Sequence, residues 1–281
     1  MFFHTALRRD RVEAGFVEAE GGHRMQELAE RLWEARRGGT LVEAAARRAL
    51  AGLDDAYRVQ DGAVRASGHA RAGWKVGSTS AEARRKLGTD RPGAGALLEP
   101  FCFEAGAEVP VFAAHAPAVE GEFVFVMGEG LPPREAPFER DEVMAAVMGV
   151  AGGIEVVGSR FEGGLAGLGR EGVTADFGAN IAFVEGEVRP DWRDRDLRDA
   201  GVALSVDGEV LAEGTGALAL GDPALVLLWL ANHLRERGDG LRAGDRVTTG
   251  TCTGVAAIRP GAQVLADFGP LGRVSFTAVS A

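Results

Sequence analysis

The chain has 281 residues, a formal net charge of −10 and two cysteines, and a chain of this length can bury a substantial core without a metal or disulfide to fold it. The acidic balance argues against a general nucleic-acid binder and against attraction to anionic membranes. With no evident apolar run of transmembrane length and no signal-peptide pattern at the start, a soluble cytoplasmic protein is expected.

Residues 1–24 are charged, contain glycine and show little periodicity, so they read as a poorly patterned extension or an artefact of start-codon assignment. Met25, Leu28, Ala29, Leu32 and Trp33 then recur at helical spacing, and Gly38-Gly39 ends that helix. Thr40-Leu41-Val42-Glu43 matches a capping box and predicts a second helix through Leu50. Leu53, Ala56 and Tyr57 continue a third helical piece. An N-terminal helical portion over 25–72 is therefore expected, followed by a β-rich region over 73–281. In that region short apolar runs (Trp74–Val76, Val109–Phe112, Phe123–Met127, Ile154–Val157, Asn180–Val184, Val202–Val206, Arg246–Thr249, Gln263–Phe268, Val274–Ala278) are separated by Gly, Pro and Asp. Glycine makes up 41 of the 281 residues, about twice the usual ~7%, as many tight turns between short strands require. Two helical interruptions are expected, one over roughly 139–151 and one opened by Asp222-Pro223 and stopped near Gly238. Val206-Asp207-Gly208-Glu209-Val210 reads as a hairpin with a D-G turn.

Glu120 and Glu122 stand two residues apart in a segment otherwise almost wholly apolar, Ala118 to Met127. If the strand includes them, they share one face, about 7 Å apart along the chain. Two carboxylates so placed repel and are expensive to desolvate, and a bound cation relieves both costs. If the strand begins only at Phe123, both glutamates lie in solvent. Glu155, in Ile154-Glu155-Val156-Val157, is another carboxylate in an apolar run. A salt bridge to Arg160 is one reading of it. The other is an all-oxygen site with Glu120 and Glu122, suited to Mg²⁺ or Mn²⁺ and not to zinc, since no His or Cys accompanies the carboxylates.

Of the 31 basic residues, Lys75 and Lys86 alone are lysine. Lys75 lies in Gly73-Trp74-Lys75-Val76-Gly77, where glycines permit close approach of backbone to a ligand. It reads as a carboxylate binder, as a proton carrier if its pKa is lowered, or as a strand-edge surface lysine. Asp176 is a further candidate acid or base, or a turn aspartate. Thr249 and Gly250 could offer a hydroxyl and an amide to an anion. His115 reads as structural, and Cys102 and Cys252 as small buried residues. Gly167-Leu168-Gly169-Arg170-Glu171-Gly172 fits G-x-G-x-x-G but lacks the strand–turn–helix context of a dinucleotide site. Neither G-x-S-x-G nor Walker A occurs.

Taken in order, Leu53 to Gln60, Gly73 to Ser80, Glu120-Gly121-Glu122, Ile154 to Arg160, Gly214-Thr215-Gly216, Leu220 to Pro223, Leu228 to Asn232 and Gly244 to Gly250 resemble the 2-keto-4-pentenoate hydratase / 4-oxalocrotonate decarboxylase group of the fumarylacetoacetate hydrolase superfamily. The likeness covers roughly residues 25–281. It implies an α+β fold with a mixed β-roll core and an N-terminal helical portion, and a homo-oligomer. It also implies Glu120, Glu122 and Glu155 as ligands of Mg²⁺ or Mn²⁺ and Lys75 as a catalytic or substrate-orienting residue, with Asp176, retained in the matching stretch, as a further catalytic candidate. Ser78, Thr79, Arg160, Thr249 and Gly250 would bind substrate. Two stretches depart from the pattern: Gly93 stands where many hydratases carry an aspartate, and Phe177-Gly178-Ala179 lacks an amide and a hydroxyl.

The activity implied is addition of water to a 2-hydroxy-2,4-dienoate, a small anionic acid, giving a 4-hydroxy-2-oxo acid in aromatic-compound catabolism. The alternatives are a 4-oxalocrotonate-type decarboxylase and a non-catalytic ligand-binding or assembly subunit, for these decarboxylases are often partnered with hydratases.

Overall fold

The computed structural model describes residues 3–281, with side chains from residue 21 onward; residues 1–2 of the expected extension lie outside the described residues. Helix α1 is continuous over Phe3–Gly38, so the helix does not begin at Met25. Before Met25 no apolar stripe marks it in the sequence. Beyond it Leu28, Ala29, Leu32, Trp33 and Arg36 form the buried face. Gly39 turns the chain at φ +68, where a side chain would run into the Phe112 ring.

The capping-box helix does not form. Val42 is held extended against the chain at residue 161: its N–H donates to the Arg160 carbonyl at 2.7 Å and its carbonyl accepts from the Glu162 N–H at 2.9 Å. Glu43, which the box needs at its third helical position, pairs instead with Arg31 on α1. Only a 3₁₀ turn, Ala44–Ala49, follows. Helix α2 (Leu53–Ser67) buries Ala56, Tyr57, Val59, Gln60 and Ala63 and stops at Gly68 in the left-handed region. Its apolar face and that of α1 enclose a core with Leu98, Phe161 and Phe177, so the helical portion is seated on the β-rich body.

Along the rest of the chain come β1 (Arg71–Gly77), α3 (Ala81–Leu87), β2 (Gly93–Leu98), β3 (Cys102–Glu104), β4 (Glu108–Val111), β5 (Ala118–Met127), α4 (Arg140–Ala145), β6 (Val147–Val157), α5 (Gly169–Ala175) and β7 (Asn180–Glu185). Then follow β8 (Gly201–Val206), β9 (Glu209–Thr215), α6 (Pro223–Glu236), β10 (Arg246–Thr248), β11 (Ala256–Ala257), β12 (Gln263–Asp267) and β13 (Arg273–Ser280). The strands form an eight-stranded mixed sheet, ordered β2-β1-β10-β5-β6-β7-β3 with β11 also on β5, and a five-stranded sheet ordered β4-β13-β12-β8-β9. Apolar side chains from both sheets share one large core that includes Phe123, Phe125, Ile154, Val202, Leu204, Val264 and Phe276. This is the expected α+β architecture.

Three local readings are revised. The helix expected over 139–151 is only Arg140–Ala145, and Val147 then opens β6. That strand is disguised by Gly149, Gly152 and Gly153, where a Cβ would strike Val188, Phe268 and Phe183 respectively at 2.2–2.6 Å. Short helices α3 and α5 were not foreseen; α5 does follow the G-x-G stretch, but β6 ends at Val157 and no strand feeds it. Finally, Gly216–Glu236 is long and apolar enough by composition to cross a membrane, although no apolar run of that length is expected from the sequence pattern. It opens with a separate 3₁₀ turn, Gly216–Leu218, and α6, which starts only at Pro223, buries Val226, Leu227, Leu230, Ala231 and Leu234 in the core. As expected, Asp222 caps α6 by accepting from the Ala224 N–H at 2.8 Å, and the Asp207-Gly208 hairpin joins β8 to β9.

Candidate active site

The site lies on the large sheet, where β1, β10, β5 and β6 run side by side. Strand β5 begins at Ala118, so both of its glutamates are inside the sheet and the solvated alternative falls. Antiparallel register sets Glu120 directly opposite Glu155, and like charges so placed destabilise a sheet unless something neutralises them. Glu122 shares their face, which continues into an apolar floor of Val124, Leu97, Ala151 and Phe183. Glu122 and Glu155 are fully buried, and one carboxylate oxygen from each of the three glutamates lies within 4.8 Å of the others.

Strand β10 carries the neighbours. Lys75 on β1 pairs with Thr248, which pairs in turn with Val124 on β5. Past the strand end the Thr249 N–H and hydroxyl both donate to the Phe123 carbonyl at 3.1 Å, while the Gly250 N–H donates to Glu122 Oε2 at 2.8 Å. Lys75 is 3% exposed. Its Nζ lies 2.9 Å from Glu155 Oε2 and donates to the Gly178 carbonyl at 2.9 Å. Gly178 itself has φ +64, and a Cβ there would come within 2.6 Å of the lysine stem. Glycine is needed both for the left-handed backbone and for the close approach.

Burial pushes Glu120 up to about 7, Lys75 opposing and Glu155 reinforcing the shift. Glu122 is raised well above the usual carboxylate range by burial, then by Glu155 and Glu120. Burial works against the charge on Lys75, but Glu155, Glu122 and Glu120 together outweigh it and its pKa is raised. With three carboxyl groups beside it, the geometry favours the charged form of the lysine.

One lysine does not balance three carboxylates, and Glu122 Oε1 is buried without a hydrogen-bond partner, an omission that costs about 1–3 kcal/mol. The donors are all oxygen, converge on one point and, once ionised, carry more negative charge than Lys75 balances. That set fits a hard divalent cation such as Mg²⁺ or Mn²⁺.

The other predicted residues divide. The Thr79 hydroxyl is buried and unpartnered and faces Gly250 so closely that a Cβ on that glycine would lie 2.1 Å from it. Ser78 sits at φ 58. Arg160 and Asp176, each fully buried, are turned on one another. Arg160 Nε donates to Asp176 Oδ1 at 2.6 Å, its backbone N–H to Asp176 Oδ2 at 2.9 Å, and its Nη atoms to the carbonyls of Asn180 at 2.8 Å and Asp176 at 2.7 Å. The salt bridge considered between Glu155 and Arg160 is therefore absent, because Asp176 takes the guanidinium and Lys75 takes Glu155. His115 is buried with Nε2 3.1 Å from the Thr40 carbonyl. Cys102 and Cys252 are free thiols.

The family model for the C-terminal part of fumarylacetoacetate (FAA) hydrolase matches residues 103–279. The chain belongs to the fumarylacetoacetate hydrolase family. Its curated relatives within that family include hydratases and decarboxylases, both lyases. A 2-keto-4-pentenoate hydratase of Burkholderia vietnamiensis is 33% identical over 255 residues, 89% of this chain and 95% of the relative. A 4-oxalocrotonate decarboxylase of a Pseudomonas species is 33% identical over 225 residues, 79% of this chain and 83% of the relative. The solved 4-oxalocrotonate decarboxylase of Pseudomonas putida G7, complexed with magnesium and adipate, superposes with a TM-score of 0.83 at 28% identity, covering 92% of this chain and 98% of that one. The group named from the sequence motifs is thus the group this family member falls in.

Two residues that support the site were missed, one touching it and one behind it. Asn180 donates from Nδ2 to Glu155 Oε1 at 2.9 Å, and Arg36 holds Asn180 from α1. The signal for Arg36 was present: it continues the Ala29, Leu32, Trp33 stripe at helical spacing, a charge where an apolar residue is due.

Proposed function

We propose that this chain is a Mg²⁺- or Mn²⁺-dependent hydratase that adds water to a 2-hydroxy-2,4-dienoate and yields a 4-hydroxy-2-oxo acid in the breakdown of aromatic compounds. The observation that carries the reading is the convergence of three carboxylates, two of them fully buried, beside one buried lysine, in a chain whose relatives include 2-keto-4-pentenoate hydratases. A divalent cation held by Glu120, Glu122 and Glu155 would supply Lewis-acid stabilisation of charge developing on the substrate's C2 oxygen. Lys75 spends two of its three N–H donors on Gly178 and Glu155. The third is left for the substrate carboxylate or for delivery of a proton. The Thr79 hydroxyl and the Thr249–Gly250 turn border the same space and orient the acid. Arg160 and Asp176, spent on each other, hold the Gly178 turn that steadies Lys75, and so serve the chemistry from behind.

A 4-oxalocrotonate-type decarboxylase is the second reading, favoured by the 0.83 TM-score to such an enzyme. Both activities need the same stabilised enolate. A cytoplasmic homo-oligomer is part of the proposal, as is a complex with a hydratase or decarboxylase partner; exposed Val210, Leu211 and Val255 offer apolar surface for such contacts.

The test is a substrate panel with added Mg²⁺ or Mn²⁺, following loss of dienoate absorbance and release of CO₂ separately. Glu120→Gln is expected to lower turnover by ~10²–10³ or more with the fold intact. Absorbance loss without CO₂ supports the hydratase, and CO₂ release supports the decarboxylase. Turnover of no substrate favours a non-catalytic subunit, while unchanged activity in Glu120→Gln overturns the metal assignment.

A further inference from the structure

We propose that Arg36, on the N-terminal helix, is a positioning residue for the glutamate cluster: it fixes the side-chain amide of Asn180 so that the amide N–H, and not its oxygen, meets Glu155. The inference rests on the cluster's being a cation site. It concerns a residue outside the 103–279 stretch that the family model matches.

An asparagine side chain has one accepting and one donating end, and its neighbours decide which way it lies. A guanidinium can only donate. Arg36 Nη2 lies 3.1 Å from Asn180 Oδ1, so the oxygen must face Arg36. The amide nitrogen is then turned to Glu155 Oε1 at 2.9 Å, with the Ala182 carbonyl at 3.3 Å taking its other hydrogen. Were the amide reversed, two acceptors would meet at Glu155 and two donors at Arg36. The arginine is itself immobilised. It donates to the carbonyls of Asn180 at 2.6 Å and Ile181 at 2.8 Å, lies over the rings of Phe101 and Phe177, and is 4% exposed.

The effect on Glu155 is directional. With Oε1 occupied by Asn180, Oε2 is the oxygen beside Lys75, and the carboxylate cannot swing away from Glu120 and Glu122. Partners behind a ligating carboxylate typically matter 10–100-fold in metal affinity. The large Phe177, a departure noted in the sequence, supplies one of the rings against which Arg36 is stacked.

Mn²⁺ titration followed by electron paramagnetic resonance reads this without turnover, on the full chain, with metal-free thermal unfolding alongside. Arg36→Met keeps the apolar stem, Arg36→Lys keeps the charge but not the fork, and Asn180→Ala removes the relay. Arg36→Met and Asn180→Ala are each expected to weaken Mn²⁺ binding about 10–100-fold, and Arg36→Lys by less. The double variant should bind no more weakly than Asn180→Ala alone, because Arg36 acts through Asn180. Wild-type affinity in the single variants, or additive losses in the double, overturns the proposal. If Arg36→Met does not fold, Asn180→Ala and Arg36→Lys decide. Glu122→Gln separates the two layers. Should it bind Mn²⁺ as the wild type does, the cation site falls and this inference with it. Should it lose Mn²⁺ while the Arg36 and Asn180 variants keep it, only the positioning role falls.

Discussion

Two sets of buried charge lie within one neighbourhood of this protein and differ in kind. Arg160 and Asp176 form a closed set, in which the guanidinium meets a carboxylate and two carbonyls and the carboxylate meets a guanidinium and an amide. Glu120, Glu122 and Glu155 form an open set, with one lysine among three carboxylates and a buried oxygen left without a partner. Both are costly to desolvate. What distinguishes them is the remainder: a closed set holds the chain in place, while an open one has capacity for something the chain does not itself provide.

Breaking the closed set should have the largest effect on stability. Arg160→Met leaves Asp176 buried and unpaired, and urea unfolding at pH 7 is expected to show a loss of about 3–5 kcal/mol. A loss below about 1 kcal/mol would mean that the pair is dispensable and the contrast is false. Removing a member of the open set should do the reverse. Metal-free Glu122→Gln is expected to be at least as stable as the wild type, because a repelling buried carboxylate is gone. Mn²⁺ at a hundredfold its dissociation constant stabilises the wild type by about 2.7 kcal/mol, and the variant should not respond.

The smallest effect is a pH dependence. Burial, then the charge of Arg160, holds His115 down to about 4. In the unfolded chain its pKa is ~6.5. Between those values the folded state binds fewer protons than the unfolded one, so stability is present above pH 6.5 and is lost as pH falls towards 4. His115→Gln should therefore show a smaller drop in urea midpoint between pH 7 and pH 5. An unchanged drop would place the acid sensitivity elsewhere.

The open set was legible in the sequence because its members interrupt apolar runs: a carboxylate among Val and Phe is conspicuous, and so is a lysine between glycines. Strand β5 was readable for the same reason, though its start at Ala118 needed the register with β6. Strand β6 was half hidden, since glycines that make room for Phe268 and Phe183 carry no hydrophobic signal. The pairing of Arg160 with Asp176 was not legible. It depends on a turn through Phe177, Gly178 and Ala179 in left-handed conformations, which local pattern did not announce. The capping box at Thr40 failed because a single bridge to the chain at Phe161 outweighed a short-range preference.

Strand β10 has a consequence for how the protein comes into being. The hairpin of β5 and β6 is local in sequence and brings the three glutamates together on its own, but Lys75 reaches them across β10, which is made more than a hundred residues after β5. The three glutamates are therefore synthesised, and their strands can pair, before the strand that seats Lys75 beside them is made. Contacts this distant in sequence are slow to form, so the seating of Lys75 across β10 is expected among the later steps in assembling the site.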